Sequence, residues 1–138
     1  MALLSAEITA RSGKDPGELY ELLSMELGHS WYERIDAPAN AKQKTILKNL
    51  KPEQVNLKQL AGEPVRSITL SAPGNRQPLG GIKVSTENGW FAARPSGTED
   101  AYKIYAESFR GDDHLKEIQS EAQAVLSGIF SNAASPRV

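Results

Sequence analysis

Between Arg94 and Glu99 the chain reads Arg-Pro-Ser-Gly-Thr-Glu, which places a guanidinium, two hydroxyls and a glycine within five residues. Arginine offers a planar fork of donors that matches two phosphate oxygens. Ser96 and Thr98 add hydroxyl donors, and Pro95 fixes the chain beside the arginine. Gly97 is expected to take a positive φ and turn neighbouring N–H groups toward one point, forming an anion nest. Lys103 follows at the start of the next strand, at a parity that sets its ammonium on the same face as Arg94. A plainer reading stands beside this one: Ser-Gly-Thr is common turn chemistry, and an arginine at a strand end is often only solvated. Other tempting residues are weaker. His29 and His114 are far apart in sequence, and His114 falls in the first turn of a helix, a poor place for a cation, so both are expected at the surface. Trp90 and Phe91 have the chemistry to stack on a sugar or a base, but a returning strand favours packing. Lys42, Lys44, Lys48, Lys51 and Lys58 read as a solvated face.

The elements that must carry this loop follow from periodicity. Residues 1–13 read as a helix ending at Gly13. Asp15-Pro16-Gly17-Glu18 starts a second, with Asp15 as cap, Pro16 in the first helical position and Glu18 at the capping-box position. Leu19, Leu22, Leu23 and Leu27 form its core stripe, and Gly28 ends it. Trp31 to Asp36 reads as a short strand. Pro38 and Asn40 introduce a third helix with Ile46, Leu47 and Leu50 inward. Residues 52–64, punctuated by Pro52, Gly62 and Pro64, read as loop. Period-two alternation then gives strands around Ile68 and Leu70, Ile82 and Val84, Trp90 to Arg94, and Tyr102, Ile104 and Ala106, with Asn88-Gly89 as a tight turn. A last helix begins near Asp112, with the stripe Leu115, Ile118, Ala122, Val125, Leu126 and Ile129. The tail Asn132–Val138 is small and polar and is expected to fray. The order predicts an α+β fold: an antiparallel-rich sheet of four to five strands, covered on one face by two helices and preceded by two more.

Composition narrows the function. The 138 residues carry 16 Lys plus Arg and 17 Asp plus Glu, a formal net charge of −1. That balance argues against broad electrostatic binding to nucleic acid or anionic lipid, so an anion site here must be local. With no cysteine there are no disulfides, thiol nucleophiles or Cys-ligated metals. Two histidines are too few for a His-rich metal site. No apolar run reaches the roughly 18 residues of a membrane span. The start lacks a basic flank and meets Glu7 early, unlike a signal peptide. A soluble cytoplasmic domain is the expectation. Ser5, Ser12 and Ser24 lie on predicted helices without a neighbouring base, and there is no Asp-x-Asp-x-Asp metal loop.

The stretch Arg94-Pro-Ser-Gly-Thr-Glu99 resembles the phosphate-binding loop of the α-D-phosphohexomutase family. The flanks Gly89-Trp-Phe-Ala-Ala-Arg94 and Tyr102-Lys-Ile-Tyr-Ala-Glu-Ser-Phe109, with Ala6-Glu-Ile-Thr-Ala-Arg11 and Arg34-Ile-Asp-Ala-Pro38, are similar to its bacterial phosphoglucomutase branch. The likeness runs over essentially the whole chain but only the C-terminal part of those enzymes. It implies that residues 29–138 are the fourth, TBP-like, phosphate-binding domain and residues 1–28 the last helices of the third. It further implies a mutase that interconverts glucose 1-phosphate and glucose 6-phosphate through glucose 1,6-bisphosphate. The phosphoserine and the carboxylates that hold Mg²⁺ would lie in the first and second of the three remaining domains. By motif position, Arg94, Ser96, Gly97 and Thr98 are then ligands of the non-reacting phosphate, with Lys103 a basic residue that also reaches it. Glu99 is expected to hold the loop, because a carboxylate repels phosphate. Asp100 stands where many relatives have proline and sets a further acid near the site. Gly28-His29-Ser30 is the natural hinge. A different class remains open: a non-catalytic module that binds anions or proteins through its open sheet and self-associates through the leucines of 1–28.

Overall fold

The computed structural model describes residues 1–134, which divide into two compact units with the boundary after Ser30. The first unit is a helix pair, α1 (Ala2–Ser12) and α2 (Pro16–Leu27). The cap of α2 forms as its residues dictate. Asp15 Oδ1 accepts from the N–H groups of Gly17 and Glu18 at 2.7 and 3.0 Å, and Glu18 Oε2 accepts from the Asp15 N–H at 2.9 Å. Pro16 occupies the position where a missing N–H costs nothing. The expected core stripe does not form. Leu22, Leu23 and Leu27 are 47, 53 and 78% exposed, and Ser24 is the residue of α2 that is buried. Two helices lack the second layer that an apolar stripe needs in order to be buried.

The second unit is α+β. Its sheet runs in the order β1-β7-β6-β5-β4, built from β1 (Trp31–Pro38), β4 (Ser67–Ser71), β5 (Pro78–Ser85), β6 (Gly89–Pro95) and β7 (Ala101–Ser108), every neighbouring pair antiparallel. The register explains the core. Val84, Phe91 and Ala106 lie in one row across three strands, and Ile82, Ala93 and Ile104 in the next. All six are buried on the same face. Helix α3 (Ala41–Lys48) covers β5 and β6 there, and α4 (Asp112–Ala134) covers β7, β6 and β1. Asn40 starts α3 with a reciprocal capping box to Gln43, both bonds 2.9 Å. Leu115, Ile118, Ala122, Leu126 and Ile129 of α4 are buried as their 3.6-residue spacing requires. Helix α4 continues through Asn132 and Ala134, where fraying was expected; residues 135–138 lie outside the described residues. Residues with the opposite parity, among them Lys83, Trp90, Arg94, Lys103 and Tyr105, form the other face, away from α3 and α4. Trp90 is thus on the open side, its Nε1–H donating to Glu107 at 2.9 Å and its ring beneath Lys83 at 4.5 Å, while Phe91 packs in the core.

Two local expectations are corrected. Residues 52–64 are not plain loop: a 3₁₀ turn at Pro52–Gln54 precedes a small hairpin, β2 (Gln59–Leu60) with β3 (Glu63–Pro64), turned by Ala61 and Gly62 at φ 49° and 74°. Partners distant in sequence hold it. Glu121 accepts from the Ala61 N–H at 2.8 Å, and Glu63, itself buried, accepts from the Asn88 N–H and side-chain amide at 2.9 and 2.8 Å. His114 is not at the surface but 8% exposed. Ser108 Oγ accepts from the N–H groups of Arg110 and Gly111 and stands in hydrogen-bond contact with His114 Nδ1, 2.8 Å away. Gly89 leaves the room for this ring: a Cβ there would lie 2.5 Å from Ile118 Cδ1 and 3.3 Å from the imidazole.

Candidate functional site

The end of the sheet opposite that network carries the loop from Ser96 to Asp100, which joins β6 to β7. Three backbone-directed bonds fix its shape. The Ser96 N–H donates to Ala101 O at 2.9 Å and the Ala39 N–H to Asp100 O at 3.0 Å. Lys44 of α3 donates its ammonium to Glu99 O at 2.6 Å and stands 3.6 Å from the Asp100 carboxylate. The loop is therefore tied to both layers of the fold.

Antiparallel register sets Arg94 directly opposite Lys103 on the open face. Arg94 leans back along the sheet, its guanidinium 5.6 Å from the Tyr105 ring centre and its Nη2 donating to Tyr105 Oη at 3.1 Å. The Lys103 ammonium donates to Glu99 Oε2 at 2.8 Å and to Asp36 Oδ2 at 2.9 Å, and its side chain is only 17% exposed. Hydrogen bonds to Glu99 and then to Asp36 push the lysine above its ordinary range. The same contacts act in the other direction on the acids. Hydrogen bonds from Lys103 and then Ser96 hold Glu99 below the usual carboxylate range, and Lys103 does the same for Asp36. Ser96 is 6% exposed, and its hydroxyl donates to the same Glu99 Oε2 at 3.1 Å. One carboxylate oxygen thus gathers two of the residues singled out from sequence. Gly97 and Thr98 form the exposed tip.

The nest expected at Gly97 is absent. Gly97 is not among the positive-φ glycines, and a Cβ built on it would meet nothing within 4 Å. The Ser96 N–H, one of the groups a nest would aim outward, closes the loop on Ala101 instead. Positive φ falls on Gly80, at 65°, which lines a hollow of about 490 Å³ beside the loop. Arg94, Ser96 and Gly97 line the same hollow, together with Lys44 and Lys48 of α3. These two lysines are therefore not part of an undifferentiated solvated face. The signal was available: at i and i+4 they share one side of α3. What sequence could not give was that this side ends against the loop.

Among the described residues no group of three or more His, Asp or Glu side chains is placed to hold a metal ion. Asp36 and Glu99 are the nearest acids that converge, and they converge on an ammonium, which does not suit a divalent cation. No helix among the described residues is long and apolar enough to cross a membrane.

Comparison with known proteins gives the same region an ancestry. The family model described as phosphoglucomutase/phosphomannomutase, C-terminal domain, matches residues 38–125. A phosphoglucomutase of Komagataeibacter xylinus is 58% identical over 134 residues, covering 97% of this chain and 24% of that protein. A probable phosphoglucosamine mutase of Methanococcoides burtonii is 45% identical over 42 residues, 30% of this chain and 10% of that protein. The chain spans about a quarter or less of the length of these relatives.

Proposed function

The chain belongs to the phosphoglucomutase/phosphomannomutase family, as its C-terminal domain, and from that premise we propose that the loop 94–103 grips the phosphate of a phosphosugar that is not reacting. The substrates are glucose 1-phosphate, glucose 6-phosphate and the glucose 1,6-bisphosphate formed between them. The observation that carries this reading is the meeting of Arg94, Ser96 and Gly97 with Lys44 and Lys48 around one hollow, which is large enough for a phosphate with part of its sugar. A mutase must hold one sugar in two orientations, so its distal grip has to read phosphate and not sugar. A cluster of cations and hydroxyls does that, and phosphoryl transfer depends mainly on such positioning and charge.

Residues 29–138 are then the fourth domain of a cytoplasmic enzyme, and residues 1–28, with α1 and α2, the last helices of the third. Gly28-His29-Ser30 would be the hinge about which the fourth domain closes and excludes water. The phosphoserine and Mg²⁺ belong to other domains, so this chain alone is expected to give no turnover. A second reading rests on the exposed leucines of α2 and on Leu3 and Leu4 of α1, at 88 and 52% exposed. In the absence of a covering sheet they favour self-association of the isolated chain. Sedimentation over a hundredfold range of concentration tests it, and a constant monomer mass rules it out.

The phosphate grip is tested by titrating glucose 6-phosphate into the chain and following amide chemical shifts. Charge-assisted hydrogen bonds contribute roughly 1.5–3 kcal/mol each, with an exposed site at the low end. Arg94→Ala should weaken binding about tenfold. Arg94→Lys should recover only part, because an ammonium lacks the bidentate fork. Binding that Arg94→Ala leaves unchanged, or shifts that map away from residues 94–103, would reject the assignment.

A further inference from the structure

The proposed phosphate site already contains an anion of its own. Glu99 Oε2 lies 3.1 Å from Ser96 Oγ and 2.8 Å from Lys103 Nζ, so one carboxylate oxygen takes two of the donors that the phosphate reading assigns to the ligand. Neither donor is idle surface. Ser96 is 6% exposed and the Lys103 side chain 17%. We infer that Glu99 occupies the seat of the phosphate while the site is empty, and that a ligand enters by displacing it, which selects dianionic phosphate esters over monoanions. The inference rests on the phosphate-grip reading and adds to it a specificity-determining residue that sequence reasoning had given only a structural part.

Three features make the exchange feasible. The Glu99 side chain is 59% exposed, so it can swing outward without uncovering a core. Its backbone need not follow, because Lys44 holds Glu99 O at 2.6 Å and Asp100 O accepts from the Ala39 N–H. Lys103 does not lose its position, because Asp36 remains on the ammonium at 2.9 Å. Charge makes the exchange necessary. Around Lys103 stand the carboxylates of Glu99 and Asp36, and Arg34 Nε lies 3.2 Å from Asp36 Oδ1, so two cations meet two acids and the local balance is zero. A dianion added beside them would bring the balance to −2, with Glu99 against the incoming charge, and like charges at this range oppose one another. If Glu99 leaves, the dianion enters with one negative charge more than was removed, and it meets Ser96, Lys103 and the neighbouring Arg94. A monoanion replaces Glu99 charge for charge and gains nothing for the loss of a tethered group.

The test compares wild type with Glu99→Gln, which keeps an acceptor oxygen for Ser96 and removes the charge. Inorganic phosphate and, separately, acetate are titrated into the full chain at about pH 8, where phosphate is largely dianionic. Amide shifts of residues 94–103 report binding. Wild type should bind phosphate and not acetate. Glu99→Gln should bind phosphate about fivefold more tightly, the ratio that an exposed ion pair carries, and should narrow the preference for phosphate over acetate. Equal or weaker phosphate binding by Glu99→Gln overturns the inference and leaves the phosphate grip standing. Absence of phosphate binding in both chains overturns the grip and the inference together. A second measurement needs no variant. In ¹³C-labelled wild type the Glu99 carboxyl resonance should move with phosphate saturation while that of Asp36 stays near its starting position; a Glu99 carboxyl that does not move at saturation also overturns displacement.

Discussion

Removing the charge of Glu63 should abolish a defined part of the acid sensitivity of this domain. Glu63 is 7% exposed in the β2–β3 hairpin. Burial alone would raise its pKa. Hydrogen bonds from the Asn88 side chain and N–H and from Thr86, with the nearby His114, outweigh that and bring it from 4.5 down to about 2. Arg110 adds a contact at 3.3 Å. At 1.36 kcal/mol per pKa unit the preference for the ionised form is on the order of 3 kcal/mol. The sign follows from linkage. A carboxylate whose pKa is lowered on folding stabilises the fold fully above its unfolded value, and that contribution is lost as pH falls from about 4.5 toward 2. Glu63→Gln keeps the size and removes the titration. Urea unfolding of both chains, followed by tryptophan fluorescence, should show the variant weaker by up to about 3 kcal/mol at neutral pH, a midpoint shift of about 2 M urea for an m-value near the low end for small domains. The gap should close between about pH 4.5 and 2. Asp36 and Glu99 are also held below the usual carboxylate range, but they are present in both chains, so the difference isolates Glu63. A gap that stays constant down to the lowest pH, or no gap at neutral pH, would refute the reasoning.

Two further outcomes follow from the same geometry. Gly81→Ala would bring a Cβ to 2.1 Å from Ala93 O, a backbone atom that cannot yield without breaking the β5–β6 pairing, and should destabilise by about 2 kcal/mol or more, whereas Gly97→Ala, with nothing within 4 Å, should leave the thermal midpoint within about 1 °C. Lys48→Met should weaken phosphate binding about two- to fivefold and flatten its dependence on ionic strength without changing stability, because Lys48 lines the hollow and makes no ion pair among the described residues; calorimetry at two salt concentrations checks it.

The parts of the fold that sequence reasoning recovered are those in which a local pattern and its tertiary use coincide. Asp15, Pro16 and Glu18 form a capping box with one another, so no distant residue is needed to read it. The alternation of Tyr102, Ile104 and Ala106, and the stripe of α4, mark the faces that do turn inward. The β2–β3 hairpin was lost because its strands are two residues long and its polar groups are satisfied by Asn88 and Glu121, 25 and 60 positions away. His114 was misplaced for a related reason. A histidine in a first helical turn is unfavourable as an exposed cation, but here the Ser108 hydroxyl 2.8 Å from Nδ1 gives the buried ring a partner, and the glycine at 89 opens the space. Such complementarity of one residue's absence with another's bulk leaves no trace in local periodicity.

At the candidate site the motif was visible and its arrangement was not. Reading Arg94, Ser96 and Lys103 by type treats every donor as free for a ligand. In the folded chain each has an internal acceptor: Tyr105 for the guanidinium, Glu99 for the serine, and Glu99 with Asp36 for the lysine. Polar groups that leave water need partners, and a site with buried donors must supply acceptors for them before a ligand arrives. Those acceptors are a tyrosine of β7 and acids drawn from β1 and from the loop itself, and the Asp36–Lys103 pair spans 67 positions. On the proposed reading, ligand affinity is a difference between what phosphate gains from Ser96, Lys103 and Arg94 and what Glu99 and Tyr105 give up. A substitution that weakens the internal partners should tighten binding as surely as one that removes a donor loosens it.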